Sequence, residues 1–414
     1  MTSNTKHVSY FLPLAIAVGL LSAGHTTSAH AQTLTSEGNA AGAQCVGNDV
    51  NDSGIEVGTC TPGNQTGPSV AWVALTAGTQ TPLPPLVTGQ SCTAGGITND
   101  GEITGSCINA NDVPIAVTWN AATPANAPVE RAPLGGLLGL GADVRSQATG
   151  YNQKDNVIGV SVNGSGNGTS VVWVDGSSTP IAVSTQGDNC AAVDVNDTLV
   201  NGEPSVALDC PNASGTVTAK IAEDDALLGG YQANALPIPS GADYCTVNAI
   251  NDEDEMSGTC YFPAPAVPET AYWATPTSTP TLLTTLSGGP RNQGMFLNNL
   301  GHVVFSYQTA TGQTDSGFWN PATGVVTSIP TLTGGAQAIA TAFADDDAVV
   351  LNCEDGSETS EACVWTPSTT TTADGFIGGG DSSECSAISQ DGGYIACSGE
   401  NSSESNVAAV ATGP

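Results

Sequence analysis

Between Gln44 and Pro414 short apolar runs alternate with polar turns, and the alternation recurs in eight copies. Each copy aligns on the apolar residue that ends its first run: Val50, Ile97, Tyr151, Val195, Ile250, Leu297, Phe343 and Ile388. Successive anchors stand roughly 44 to 55 residues apart, which is the length of a β-propeller blade built from four short strands. Four residues after the anchor comes Gly54, Gly101, Gly301 or Gly392, and in three other copies Asp155, Asp254 or Asp347. Gly and Asp tolerate the positive φ that a tight hairpin turn demands. Neighbouring Asn and Asp, such as Asn51, Asp52, Asn99, Asp100 and Asn251, can satisfy turn amides with their side chains. Each copy is therefore predicted to open with a β-hairpin.

All six tryptophans follow their anchors by twenty-two or twenty-three residues, as Trp72, Trp119, Trp173, Trp273, Trp319 and Trp365. A large aromatic repeated at one place in a unit is expected in the core between neighbouring sheets. Small residues three before the anchor, among them Gly47, Ala94 and Ala340, suit a crowded innermost strand. The expected fold is all-β, an eight-bladed propeller of four-stranded blades, with seven blades or an irregular repeat array as the alternative. Copy eight ends after a third strand around Asn406 to Thr412. Residues Thr33 to Ala41 are expected to add its outer strand and lock the last blade to the first.

The twelve cysteines fit the hairpins. Cys45 and Cys60 are symmetric about the turn at Asp52 and Ser53, Cys92 and Cys107 about Asn99 and Asp100, and Cys245 and Cys260 about Asp252 and Glu253. Residues so placed lie opposite each other on paired strands. Cys385 with Cys397 follows the same scheme, and Cys190 with Cys210 follows it around an insertion. In copy seven the upstream position is Ala338, so Cys353 is expected to pair with Cys363 across the next loop.

Composition narrows the setting. Residues 1–31 carry Lys6, an apolar run from Tyr10 through Leu21, and Ala29, His30, Ala31 as a small-x-small cleavage pattern. They read as a secretory signal peptide, which leaves residues 32–414 as one propeller domain. The apolar run is short for a membrane span, and an even cysteine count in an exported chain points to disulfides. The expected location is secreted or periplasmic. The chain has 39 acidic and six basic residues, a formal charge of −33, one unit lower without Lys6. Such a field repels nucleic acid and anionic membranes. Periodic Trp and paired Cys argue against the disorder that an acidic, Gly-rich and Pro-rich composition would otherwise suggest.

The recurrent Ile-Asn-Asp-x-Gly-x-x-x-Gly pattern followed by an aromatic-Trp strand, clearest at Val50 to Gly58, Ile97 to Gly105 and Ile250 to Gly258, resembles the bacterial extracellular repeats called the HAF family. The resemblance covers nearly all of the chain beyond the signal peptide and implies a secreted, propeller-like protein. It carries no single activity. The His-Ala-Phe triplet that names the family is absent before these tryptophans, and the paired cysteines are an addition to the pattern.

Catalytic chemistry finds few candidates. Beyond the signal peptide the only histidine is His302, and a His-based triad or a zinc site needs partners from elsewhere in the fold. No phosphate-binding loop, dinucleotide fingerprint or haem motif is present. Carboxylate pairs for glycoside chemistry are too numerous to discriminate. Asp252 with Asp254, and Asp345 with Asp347, place hard oxygens close together and make calcium the one cofactor to consider. Copies three and six lack the paired cysteines, carrying Ser146 and Ser161 in one and Asn292 and Tyr307 in the other. Directly before those positions stand Arg145 and Arg291, with Tyr244 and Gln337 in the same column. In a propeller this column rings one mouth of the central channel, where guanidinium groups can orient an anion. The expected function is a secreted, non-enzymatic binding or interaction scaffold for an extracellular glycan, an anionic small molecule or a protein. The alternatives are an extracellular polysaccharide hydrolase or lyase working through carboxylates, and a calcium-dependent adhesion or surface protein.

Overall fold

The computed structural model describes residues 34–37 and 43–414, apart from 64–65, 136–141, 228, 284–285, 287–290, 358, 376–379 and 403–405. Residues 1–31, expected to be a signal peptide, lie outside the described residues. Within them the chain forms eight four-stranded antiparallel sheets and no helix. Blades one to seven span 43–82, 92–131, 145–182, 191–235, 244–282, 292–328 and 338–373, and each adds its strands in chain order from the inside outward. Blade eight takes three strands from 383–412 and its fourth, Thr35–Ser36, from the other end of the chain. The first strand of blade eight, Ser383–Ile388, packs on that of blade one, Ala43–Val50, so the ring closes. The chain is an eight-bladed propeller.

The N-terminal strand behaves as its sequence position predicts. Thr35 pairs with Val410 and Ser36 with Ala409, and the Glu37 amide donates to the Ala408 carbonyl at 2.8 Å. These bonds cover an edge that would otherwise offer unpaired backbone groups. Thr33 and residues 38–41 of the expected strand lie outside the described residues.

All six expected disulfides form: 45–60, 92–107, 190–210, 245–260, 353–363 and 385–397. The hairpin geometry behind them differs from a two-residue turn. In blade one the loop runs from Asn51 to Ile55, closed by the Asn51 amide on the Ile55 carbonyl, and a one-residue bulge between Gly47 and Asp49 restores the register that sets Cys45 against Cys60. A bulge stands at the corresponding place in every first strand. The longer turn and the bulge offset each other, which is why simple symmetry found the right partners. Cys353 and Cys363 are diagonal neighbours on the second and third strands of blade seven, with Cα atoms 6.2 Å apart. In blade eight the bridge sits at the bulge, so Glu384 lies one pleat deeper than Arg145 of blade three. Bridges closing loops of this size contribute about 3 kcal/mol each in the chain-entropy model.

The seven turn residues expected at positive φ all adopt it, from Asp155 at 56° to Gly101 at 87°. All six tryptophans are buried, and three donate their indole N–H to the preceding blade: Trp119 to the Pro84 carbonyl, Trp173 to Ala132 and Trp273 to Pro237. The core is a series of seams between neighbouring blades. In the seam of blades one and two, Leu83 from beyond the outer strand of one packs with Ile97, Ile103 and Trp119 of the other. The same pairing recurs as Leu236 with Met256, Leu283 with Val303, and Ile329 with Val349. Burying each such side chain contributes about 1.5–3 kcal/mol.

Candidate functional site at the channel mouths

The first turn of every blade lies at one end of the ring, and these turns are tied to one another. The position directly after the anchor is usually Asn. Asn51 Oδ1 accepts from the Ser53 and Ile55 amides at 3.0 Å while its Nδ2 donates to the Thr98 carbonyl of the next blade at 3.1 Å. Asn152, Asn251 and Asn298 repeat the link onto the carbonyls of Asn196, Asn298 and Ala344. Each Asn therefore folds its own turn and clamps the next.

One residue further on, the backbone amides pass a hydrogen bond around the ring. The Asp52 amide donates to Asn99 Oδ1, Asn99 to Gln153 Oε1, Gln153 to Asp197 Oδ1 and Asp197 to Asp252 Oδ1, at 2.6–2.9 Å. Asp252 donates to Asn299 Oδ1 and Asn299 to Asp345 Oδ1. The Asp345 amide reaches the Gln390 carbonyl, and the Asp391 amide returns to Asp52 Oδ1. Asn99 also donates to Gln390 Oε1 at 2.9 Å, joining blades two and eight over blade one. This mouth is stitched by a closed circuit. Burial, reinforced by Asp391 after backbone donors are counted against it, raises the Asp52 carboxyl above its ordinary value.

The acids considered for calcium belong to the stitching. Asp252 accepts from the Asp197 amide and from Asn299 Nδ2, the latter at 2.7 Å, and Asp345 accepts from the Asn299 amide. Asp254 and Asp347 fill positive-φ turn positions, at 59° and 71°. Asp254 accepts from Asn196 Nδ2, and Asp347 accepts from Asn298 Nδ2 at 2.9 Å. Among the described residues the one cluster with metal-ligand side chains is Asp188 with Cys190 and Cys210. Those two sulfurs are bonded to each other, so they offer no thiolate. His302 meets Asp347 through Nδ1 at 2.6 Å and stands edge-on to Phe318, which is a packing arrangement.

The opposite mouth is where the first strands begin. Arg145 opens the first strand of blade three and Arg291 directly precedes that of blade six, and both are exposed. Tyr244 opens the first strand of blade five and stacks on its cross-strand partner Tyr261, with centroids 4.6 Å apart. Gln337 precedes the first strand of blade seven and donates to Glu354 Oε1 at 3.2 Å. The four residues share one end of the ring. Tyr244, Arg291 and Gln337 fall on three consecutive blades, while Arg145 stands two blades before Tyr244. Arg131 takes no part, because it is buried against Glu102 at 2.7 Å with further bonds to Thr118 and Ser177.

The blades without cysteine pairs are stitched in another way. Ser146 Oγ donates to the Arg131 carbonyl and accepts from the Ala116 amide, both in blade two or its exit. Asn292 likewise donates to the Leu283 carbonyl and accepts from Thr270. These blades exchange a bridge within the hairpin for bonds to the preceding blade. Sequence reasoning missed a further long-range link. Tyr151 of blade three donates its hydroxyl to Asp49 of blade one, passing the bulge of blade two where a side chain at Gly96 would collide with the ring. Burial pushes the Asp49 carboxyl up to about 7.

The chain is similar to solved propellers at low identity. It matches the β-propeller domain of the trilobed protease from Pyrococcus furiosus, described as having an open velcro topology, at 11% identity and a TM-score of 0.50, over 80% of this chain and 98% of that one. It also aligns with an oligogalacturonate lyase from Vibrio parahaemolyticus at 10% identity and a TM-score of 0.49, covering 87% and 97%. The BP39L lectin from Burkholderia pseudomallei aligns at 10% identity and 0.45, covering 80% and 97%. What these likenesses share is the fold. No family model and no curated protein matches the chain.

Proposed function

We propose that this is a secreted, non-enzymatic binding scaffold that receives an anionic group of an extracellular glycan, small molecule or protein at the strand-start mouth of its channel. The observation that carries the reading is the contrast of the two mouths: one is ringed by a circuit of turn hydrogen bonds, the other exposes two guanidinium groups on a molecule of formal charge −33. Arg291 is the principal anchor, flanked by Tyr244 and Gln337 on the neighbouring blades, and Arg145 receives a second charge on a longer ligand. Each charge-assisted contact contributes about 1.5–3 kcal/mol. Six disulfides support export to an oxidising compartment, and among the described residues no helix is long and apolar enough to cross a membrane.

The test is a calorimetric screen of the oxidised protein against oligogalacturonate, sulfated oligosaccharides and neutral oligosaccharides of equal length. Acidic members should bind, and the Arg145→Gln, Arg291→Gln double variant should lose that binding more than tenfold with its disulfides intact. Equal binding by parent and variant would reject the site. Cleavage of any member by the parent would favour the carboxylate-based hydrolase or lyase reading.

A further inference from the structure

Seven seams of this propeller and its closing seam are built from the same columns but not from the same chemistry. The residue just beyond the outer strand donates its amide to the third strand: Leu83 to Ala71, Val183 to Ser170, Leu236 to Ala219, Leu283 to Thr270 and Ile329 to Ser316. In blade eight the same bond is made by Glu37, onto Ala408. Opposite this column stands the residue paired with the next blade's anchor, which is Ile103, Val157, Val206, Met256, Val303, Val349 or Ile395 elsewhere and Glu56 in blade one. The seam that joins blade eight to blade one therefore carries two carboxyls where the seams after blades one, three, four, five and six carry an apolar pair. Glu37 and Glu56 are each 1% exposed.

Glu37 accepts from the Gly78 amide at 2.8 Å, whereas neither carboxyl oxygen of Glu56 has a partner. On the Gly47 side the Glu56 carboxyl packs directly against backbone. A Cβ built on Gly47, in a column that holds Ala94, Ala148 and Ala340 elsewhere, would lie 1.9 Å from Glu56 Oε1. The carboxyl itself fills the space left by the missing side chain.

We propose that the seam between blades eight and one is a proton-gated latch. With Glu37 and Glu56 protonated, Thr35–Ser36 stays zipped to blade eight, and on ionisation the strand releases and the ring opens. The direction follows from burial. Desolvation, with the Glu37 charge added, raises Glu56 well above 4.5, and desolvation raises Glu37 against the backbone donors Gly78 and Thr79. Among the described residues no basic group acts on either. A carboxyl whose folded value is raised contributes stability that is complete below its ordinary value near 4.5 and is lost as pH climbs through the raised one. The latch is thus tightest in acid and loosens as pH rises past the raised carboxyl values. On the other side of blade eight a second buried acid, Asp374, takes the same column, raised to about 7 by burial and by Glu361, so the readout must be local.

Hydrogen exchange on the oxidised protein, corrected for the intrinsic rate, is measured at pH 5 and pH 8.5 on the amides of Glu37 and Val410. Protection in the parent should fall at least tenfold between the two. The Glu37→Leu, Glu56→Ile variant, which restores the sister pairing, should hold its protection at both values. If that variant misfolds, Glu37→Gln, Glu56→Gln removes the charges at nearly constant shape and gives the same reading. Unchanged protection in the parent overturns the latch, as does a fall that persists in the charge-free variants. Protection restored at pH 8.5 by millimolar calcium alone would replace the proton with a cation.

Discussion

The two mouths of the channel are made by opposite ends of the same eight strands. At the turn mouth, Asn after the anchor and Asp, Asn or Gln after that spend their polar atoms on the neighbouring blade, so that acids there serve as mortar. At the strand-start mouth the column is mixed: Gln44, Ser91 and Asn189 accept amide donors from the preceding blade, Tyr244 and Gln337 are half-buried with partners in their own hairpins, and Arg145 and Arg291 are left exposed. A polar side chain bonded to its neighbour stabilises the ring, and one left to solvent is available to a ligand. Density of charge alone does not locate a site in this molecule.

The contrast can be broken most severely at the closing blade. Deleting residues 32–41 removes Thr35–Ser36 and the Glu37 bond to Ala408, so the melting temperature should fall by several degrees, read by calorimetry. An unchanged curve would mean that the ring does not depend on its N-terminal strand. Next in size, replacing Cys353 and Cys363 by Ala should lower stability by about 3 kcal/mol in the chain-entropy model, measured by chemical denaturation. A smaller loss is expected from Asn251→Ala, which frees the Glu253 and Glu255 amides and the link to the Asn298 carbonyl. About 1–3 kcal/mol is expected from the unsatisfied groups. The smallest effect belongs to Arg145→Gln and Arg291→Gln, which should leave stability within about 0.5 kcal/mol because both side chains are on the surface. If the arginines prove more stabilising than Asn251, the two mouths have been assigned the wrong roles.

The blade count, the hairpins, the six bridges and the buried tryptophans were legible because each signal repeats in register. What stayed hidden depends on residues that vary between copies or that meet only in space. The bulge at Gly47 is silent in sequence because it cancels against the longer turn. The circuit through Asp52, Asn99 and Gln153 uses three residue types for one task, and the amide donor in each step is backbone. Glu56 looks like one more acid in an acidic chain until it is placed in the column of Ile103, Val157 and Met256. The calcium reading of Asp252, Asp254, Asp345 and Asp347 saw their closeness but not their partners, which come from adjacent blades.

The most direct measurement is where a bound anion protects the protein. With the tightest acidic oligosaccharide from the screen at saturation, hydrogen exchange should slow at the first-strand starts of blades three, five, six and seven, around Arg145, Tyr244, Arg291 and Gln337, and the turns at 51–55, 251–255 and 298–302 should keep their free rates. Protection confined to those turns, or absent from every strand start, would contradict a binding mouth at the arginine end.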